Sequence, residues 1–91
     1  MSVAERIRER LAALQPQGLE LVDESDKHRG HAGWREGGGT HWRLTIVAPA
    51  FAGKPTVARH RMVYQALGDL MQHPIHALAI TARAPEEKGS S

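Results

Sequence analysis

Thr40-His41-Trp42-Arg43-Leu44-Thr45-Ile46-Val47-Ala48 alternates two kinds of side chain. Successive side chains of an extended chain point to opposite faces, so Trp42, Leu44 and Ile46 share one side and His41, Arg43, Thr45 and Val47 the other. The apolar side is rich in large and β-branched residues, and segment 40–48 is therefore predicted to be a strand with one face against a core. Such a strand needs neighbours to pair with and a layer to cover it. The flanking sequence supplies both.

Upstream, Leu19 and Leu21 alternate around Glu20 and run into Asp23, which reads as a shorter strand with one buried face. From Glu24 to Gly39 the periodicity disappears, and the stretch is charged, bears histidines and closes on Gly37, Gly38 and Gly39. Two consecutive strands pair most simply as an antiparallel hairpin. A connection of about 15 residues is far above the usual 2 to 5, and loops of that length are commonly functional or disordered. The histidines within it favour function. Nearer the N-terminus, Ser2 and Glu5 have capping-box spacing, and Val3, Ile7, Leu11 and Leu14 recur at helical intervals. This predicts an amphipathic helix over 2–15, ended by Pro16 and Gly18.

Downstream, Pro49, Gly53, Lys54 and Pro55 mark a connection. Val63, Ala66, Leu67, Leu70 and Met71 then form one helical stripe, with Gly68 as the point where it can divide into two helices. His73 and Pro74 stop it, and Ile75 to Arg83 reads as a third strand. The order is αββααβ, with a short terminal helix as an optional addition. It predicts a two-layer α+β domain: a three-stranded mixed sheet, its last strand parallel to an earlier one after a helical crossover, with the helices on one face. The domain is expected to span 1–85, with 86–91 a frayed tail.

Ninety-one residues suit one domain. The chain has no cysteine and six histidines. That composition excludes disulfide scaffolds, thiol nucleophiles and any self-contained thiolate site for an iron-sulfur cluster. Residues 1–16 interleave charged and apolar side chains and no apolar run approaches ~18 residues, so a soluble, cytoplasmic protein without a membrane segment is expected. No nucleophile elbow, phosphate-binding glycine loop or paired-carboxylate motif occurs, which argues against an enzyme. The formal net charge is only +2, yet from Gly37 to Gly68 the charged residues are Arg43, Lys54, Arg59 and Arg61, with no carboxylate among them. That local field suits an anionic partner.

Several runs taken together resemble the BolA family. They are Thr40 to Val47, Pro49-Ala50-Phe51-Ala52-Gly53-Lys54, Arg59-His60-Arg61-Met62-Val63-Tyr64 and Ile75-His76-Ala77-Leu78-Ala79-Ile80. The match runs in order from the first helix to about Pro85, and the arginine-histidine-arginine run with the histidine-alanine-leucine strand carries most of its specificity. The resemblance implies a fold similar to the type II KH domain. It also implies partnership, as a heterodimer, with a monothiol glutaredoxin around a shared two-iron, two-sulfur (2Fe-2S) cluster. In that family one ligand lies in the loop between the first two strands and a histidine opens the last strand. Carried over, these are His31, in Gly30-His31-Ala32-Gly33, and His76, with His28 as an alternative loop ligand.

The donor chemistry is consistent with this implication. A two-iron cluster needs four donors, and imidazoles serve as a pair on one iron in Rieske-type centres. The resemblance implies that a glutaredoxin cysteine and glutathione supply the missing thiolates, in a module that transfers or senses a cluster. Before the resemblance is counted, a solvated loop histidine without a role is the commoner case for His28 and His31; the family match reverses this for His31.

His60 falls on the stripe of Val63 and Leu67 and is read as a core-facing residue with a structural hydrogen bond. His41 opens a strand opposite Trp42, and His73 belongs to the helix stop. Trp34, in the glycine-rich loop, is a candidate partner contact. The competing function is DNA binding through Lys54, Arg59 and Arg61 at a helix start. Against RNA binding, Ala66-Leu67-Gly68-Asp69-Leu70-Met71 has no G-x-x-G loop of the kind KH domains use.

Overall fold

The computed structural model describes residues 2–24 and 40–87. Helix α1 spans Val3–Leu11 and starts on the expected capping box: Glu5 N–H donates to Ser2 Oγ at 3.1 Å and Ser2 N–H to Glu5 Oε1 at 3.0 Å. Bonding to Ser2 holds the Glu5 carboxyl below its ordinary range. The helix is shorter than predicted. Its end tightens into a 3-10 turn over Ala12–Leu14, and Gln15, ahead of Pro16, takes a left-handed conformation at φ 52°. The proline ring disfavours the helical conformation for the residue before it, which accounts for the stop.

Strand β1 (Gly18–Asp23) pairs antiparallel with β2 (His41–Val47), with Leu19 opposite Ile46 and Leu21 opposite Leu44. Strand β3 (Ala77–Arg83) lies parallel to β2 on its other edge, with His41 opposite Ala77 and Leu44 opposite Ile80. The three-stranded mixed sheet thus has the order β1-β2-β3, as the connections predict. Its inner face presents Leu19 and Leu21, then Trp42, Leu44 and Ile46, then Leu78 and Ile80, and packs on Ile7 and Leu11 of α1 and on Val63 and Leu67 of α2 (Thr56–Leu67). Leu44, Ile46, Phe51 and Ile75 are buried at the centre of this layer.

The expected second helix after Gly68 is a single 3-10 turn, Gly68–Met71. Gly68 takes φ 56°, and a Cβ there would stand 3.3 Å from Arg10 Nη1, so the position suits glycine. Arg10 Nη1 donates to Leu67 O and to Asp69 Oδ1, each at 2.9 Å, tying α1 to the end of α2. Proline 49 opens a further 3-10 turn, Pro49–Phe51, which the sequence pattern did not predict; it drives Phe51 into the core.

The chain end differs from expectation. Pro85–Glu87 forms a 3-10 turn, and Glu87 accepts from Ala84 N–H at 3.1 Å and from both terminal nitrogens of Arg59 at 2.7 and 2.8 Å. An ion pair thus fastens this turn, which includes the first two residues of the expected tail, to α2.

Candidate functional site

The parallel register brings the starts of β2 and β3 together. Thr40 O accepts the N–H of His76 at 2.7 Å and of Ala77 at 3.1 Å, which is why β3 begins two residues later than the sequence pattern predicts. Thr40 and His41 are buried, at 1% and 5% exposure. Thr40 Oγ1 lies 2.9 Å from His41 Nδ1. His76 is exposed, and its ring stands 5.3 Å from that of His41, centroid to centroid, at 52°. One buried imidazole thus backs an exposed one.

Glu24 and Thr40, the described residues that flank 25–39, both bond at this corner. Glu24 N–H donates to His41 O at 2.8 Å, and Thr40 supplies the carbonyl that holds His76. The sequence-predicted His28, His31 and Trp34 lie in that segment, outside the described residues. Glu24, His41, Trp42, Ala77, Leu78 and Ala79 line a groove of about 330 Å³ beside this corner. Glu24 Oε2 accepts from Arg43 Nε at 2.9 Å, and this hydrogen bond raises the Arg43 guanidinium further above its ordinary value.

An imidazole is a good ligand for iron, zinc or copper. Among the described residues no group of three histidine or carboxylate side chains could hold a metal alone. The exposed imidazole of His76 could therefore serve a metal only together with donors from outside the described residues.

The basic candidates separate. Arg59 is corrected: its Nε donates to Lys54 O at 2.7 Å, Nη1 to Ala82 O at 3.0 Å, and both terminal nitrogens bind the Glu87 carboxylate. A guanidinium with its donors and charge engaged in this way is not available to a phosphate. Glu87, in return, is pulled from the ordinary 4.5 down to about 2, chiefly by the Arg59 hydrogen bonds. Lys54 and Arg61 are exposed. His60 is half-buried and its ring makes no hydrogen bond among the described residues, against expectation; it lines a groove with Thr56, Arg83 and Glu87 instead. His73 closes the turn through its N–H to Asp69 O at 3.2 Å, in keeping with the helix stop.

Two features escaped sequence reasoning. The pairing of His41 with His76 depends on a parallel register between segments 30 residues apart in sequence, which alternation alone does not specify. The Arg59–Glu87 latch depends on a turn beyond the last strand. The only sequence signal for it was a pair of acidic residues after Pro85.

The architecture defines a small αββαβ domain whose candidate site lies at the start of its crossover strand. The family model for BolA-like protein matches residues 11–87. The chain is 46% identical over 87 residues to SufE-like protein 1, chloroplastic/mitochondrial, of Arabidopsis thaliana, covering 90% of this chain and 24% of that protein. The solved BolA domain of SufE1 from Arabidopsis thaliana superposes with a TM-score of 0.84 at 44% identity, covering 96% of each chain. The DNA-binding transcriptional regulator BolA of Escherichia coli is 41% identical over 81 residues, covering 88% of this chain and 73% of that protein. This chain belongs to the BolA-like family. No helix among its described residues is long and apolar enough to cross a membrane.

Proposed function

We propose that the chain is a non-enzymatic partner in iron-sulfur cluster assembly, trafficking or regulation, giving His76 and the loop histidine His31 to a 2Fe-2S cluster shared with a monothiol glutaredoxin. The observation that carries the reading is the exposed His76, whose N–H is held by Thr40, the residue at the downstream end of the segment that contains His28 and His31. Eight residues join His31 to Thr40. At up to about 3.5 Å per residue, a chain of that length leaves the loop imidazole within reach of the same metal.

The chain has no thiolate, so sulfur ligands must come from the glutaredoxin cysteine and glutathione. Imidazole in place of thiolate raises the reduction potential of such a cluster. The chain's own contribution is to bind, orient and partly shield the cluster.

The test is visible circular dichroism of the cluster-loaded glutaredoxin mixed with the wild-type chain, His31→Ala and His76→Ala. Both variants should fail to develop the wild-type mixed-complex spectrum, and His28→Ala should retain it. Spectra identical for wild type, His31→Ala and His76→Ala would refute the reading.

DNA binding is a second reading, favoured by the name of the Escherichia coli relative and by the exposed cations Lys54 and Arg61. Phosphate contact by Arg61 predicts that Arg61→Ala reduces the slope of log affinity against log salt by about one. An unchanged slope removes Arg61 from the interface.

A further inference from the structure

We propose that His41 is a positioning residue for His76: its buried ring, anchored on Thr40, fixes the exposed imidazole in the orientation in which it meets a partner-held metal. The inference rests on the cluster-sharing reading above and extends it to a residue outside the proposed ligand pair.

His76 stands at the surface just before β3, where an unsupported histidine would sample several rotamers. Two buried neighbours restrict it. Thr40 O receives the N–H groups of both His76 and Ala77, which fixes the backbone that carries the ligand. The His41 ring, 5.3 Å away, limits the space open to the imidazole from one side. That ring is itself held by burial and by the 2.9 Å contact of its Nδ1 with Thr40 Oγ1. One dipeptide, Thr40-His41, therefore grips the candidate ligand through its main chain and through its ring.

Burial makes this arrangement unusual. His41 opens β2 on the outer side of the sheet, opposite Ala77, yet it is 5% exposed, while Arg43, two residues along on the same side, is exposed. Placing an imidazole in a buried position costs solvation unless it is partnered, and here Thr40 is a partner. A ligand ordered before binding loses less conformational freedom when the metal arrives, and supporting residues of this kind typically alter metal affinity 10- to 100-fold when removed. His41 thus acts through His76, without contacting the metal in this assignment.

The test combines a measurement on the free chain with one on the complex. In the first, carbon-proton spectra of the histidine rings and ring-to-ring nuclear Overhauser effects are recorded for wild type, His41→Ala, His41→Phe and Thr40→Val. Wild type should show His41-to-His76 ring contacts. In folded His41→Ala the His76 resonances should move toward those of a free histidine, and His41→Phe, which keeps a ring in place, should restore most of the wild-type position.

In the second, the lifetime of the shared cluster after adding a chelator should shorten about ten-fold for His41→Ala and recover with His41→Phe. Should His41→Ala fail to fold, Thr40→Val removes the anchoring hydroxyl while keeping the residue's size and should shift His76 in the same direction. Unmoved His76 resonances in folded His41→Ala would overturn the proposal. So would a wild-type cluster lifetime in that variant or, where it does not fold, a Thr40→Val spectrum identical to wild type. His76→Ala serves as control for the reading beneath it: a wild-type complex spectrum there would refute cluster sharing, while the free-chain spectra would still decide whether His41 orders His76.

Discussion

At the C-terminal end of the β2–β3 ladder, Arg59 binds Lys54 O, Ala82 O and both oxygens of Glu87, and Glu87 also receives Ala84 N–H. At the N-terminal end, Thr40 and His41 are buried, while His76 beside them faces solvent. The C-terminal cluster closes its charges and hydrogen bonds within the chain, whereas the N-terminal one presents an exposed imidazole beside a buried one. Polar groups that close on one another contribute to stability; an exposed donor backed by buried neighbours is arranged to meet something else.

Substitutions that affect the two ends differently test this contrast. The largest effect should come from Phe51→Ala, which removes a fully buried ring from the core beneath both ends. It should cost about 3–5 kcal/mol and lower the stability of the whole sheet in a single transition, measured by urea unfolding. Separate transitions for the two ends would break the picture of one core.

Glu87→Gln should act on the C-terminal end alone, lowering Tm by several degrees at pH 7 while leaving the glutaredoxin complex spectrum unchanged. Because the Glu87 carboxyl is depressed from 4.5 to about 2, its ion-pair contribution is complete above about pH 4.5 and fades as pH falls toward 2. The gap in Tm between wild type and Glu87→Gln should close over that window in a pH series. A gap constant down to pH 2 would mean the latch does not contribute as described. The smallest stability effect should belong to His76→Ala: an exposed substitution within about 0.5 kcal/mol of wild type by urea unfolding, yet one that abolishes the mixed-complex spectrum. A large loss of stability would recast His76 as a structural residue.

Much of the fold was readable because it depends on local periodicity. The alternation around Leu44 and the stripe through Val63 and Leu67 each specify an element and its buried face, and the helix between the second and third strands favours parallel pairing. Element ends were less readable. The β3 start depends on which carbonyl receives His76 N–H, and the chain end depends on an ion pair between residues 28 apart. The candidate site was readable by composition and resemblance, which singled out His76. The contact of His41 with it follows from strand register, a tertiary property. Arg59 read as a surface cation because the carboxylate that neutralises it lies beyond the last strand.

The most direct measurement is hyperfine spectroscopy of the reduced shared cluster, with this chain carrying nitrogen-15 in its histidine rings and the glutaredoxin unlabelled. Strong nitrogen-15 coupling to the cluster spin, diminished in His76→Ala and again in His31→Ala, is the expected result. A cluster formed in the complex with no coupling to this chain's histidines would contradict the central claim.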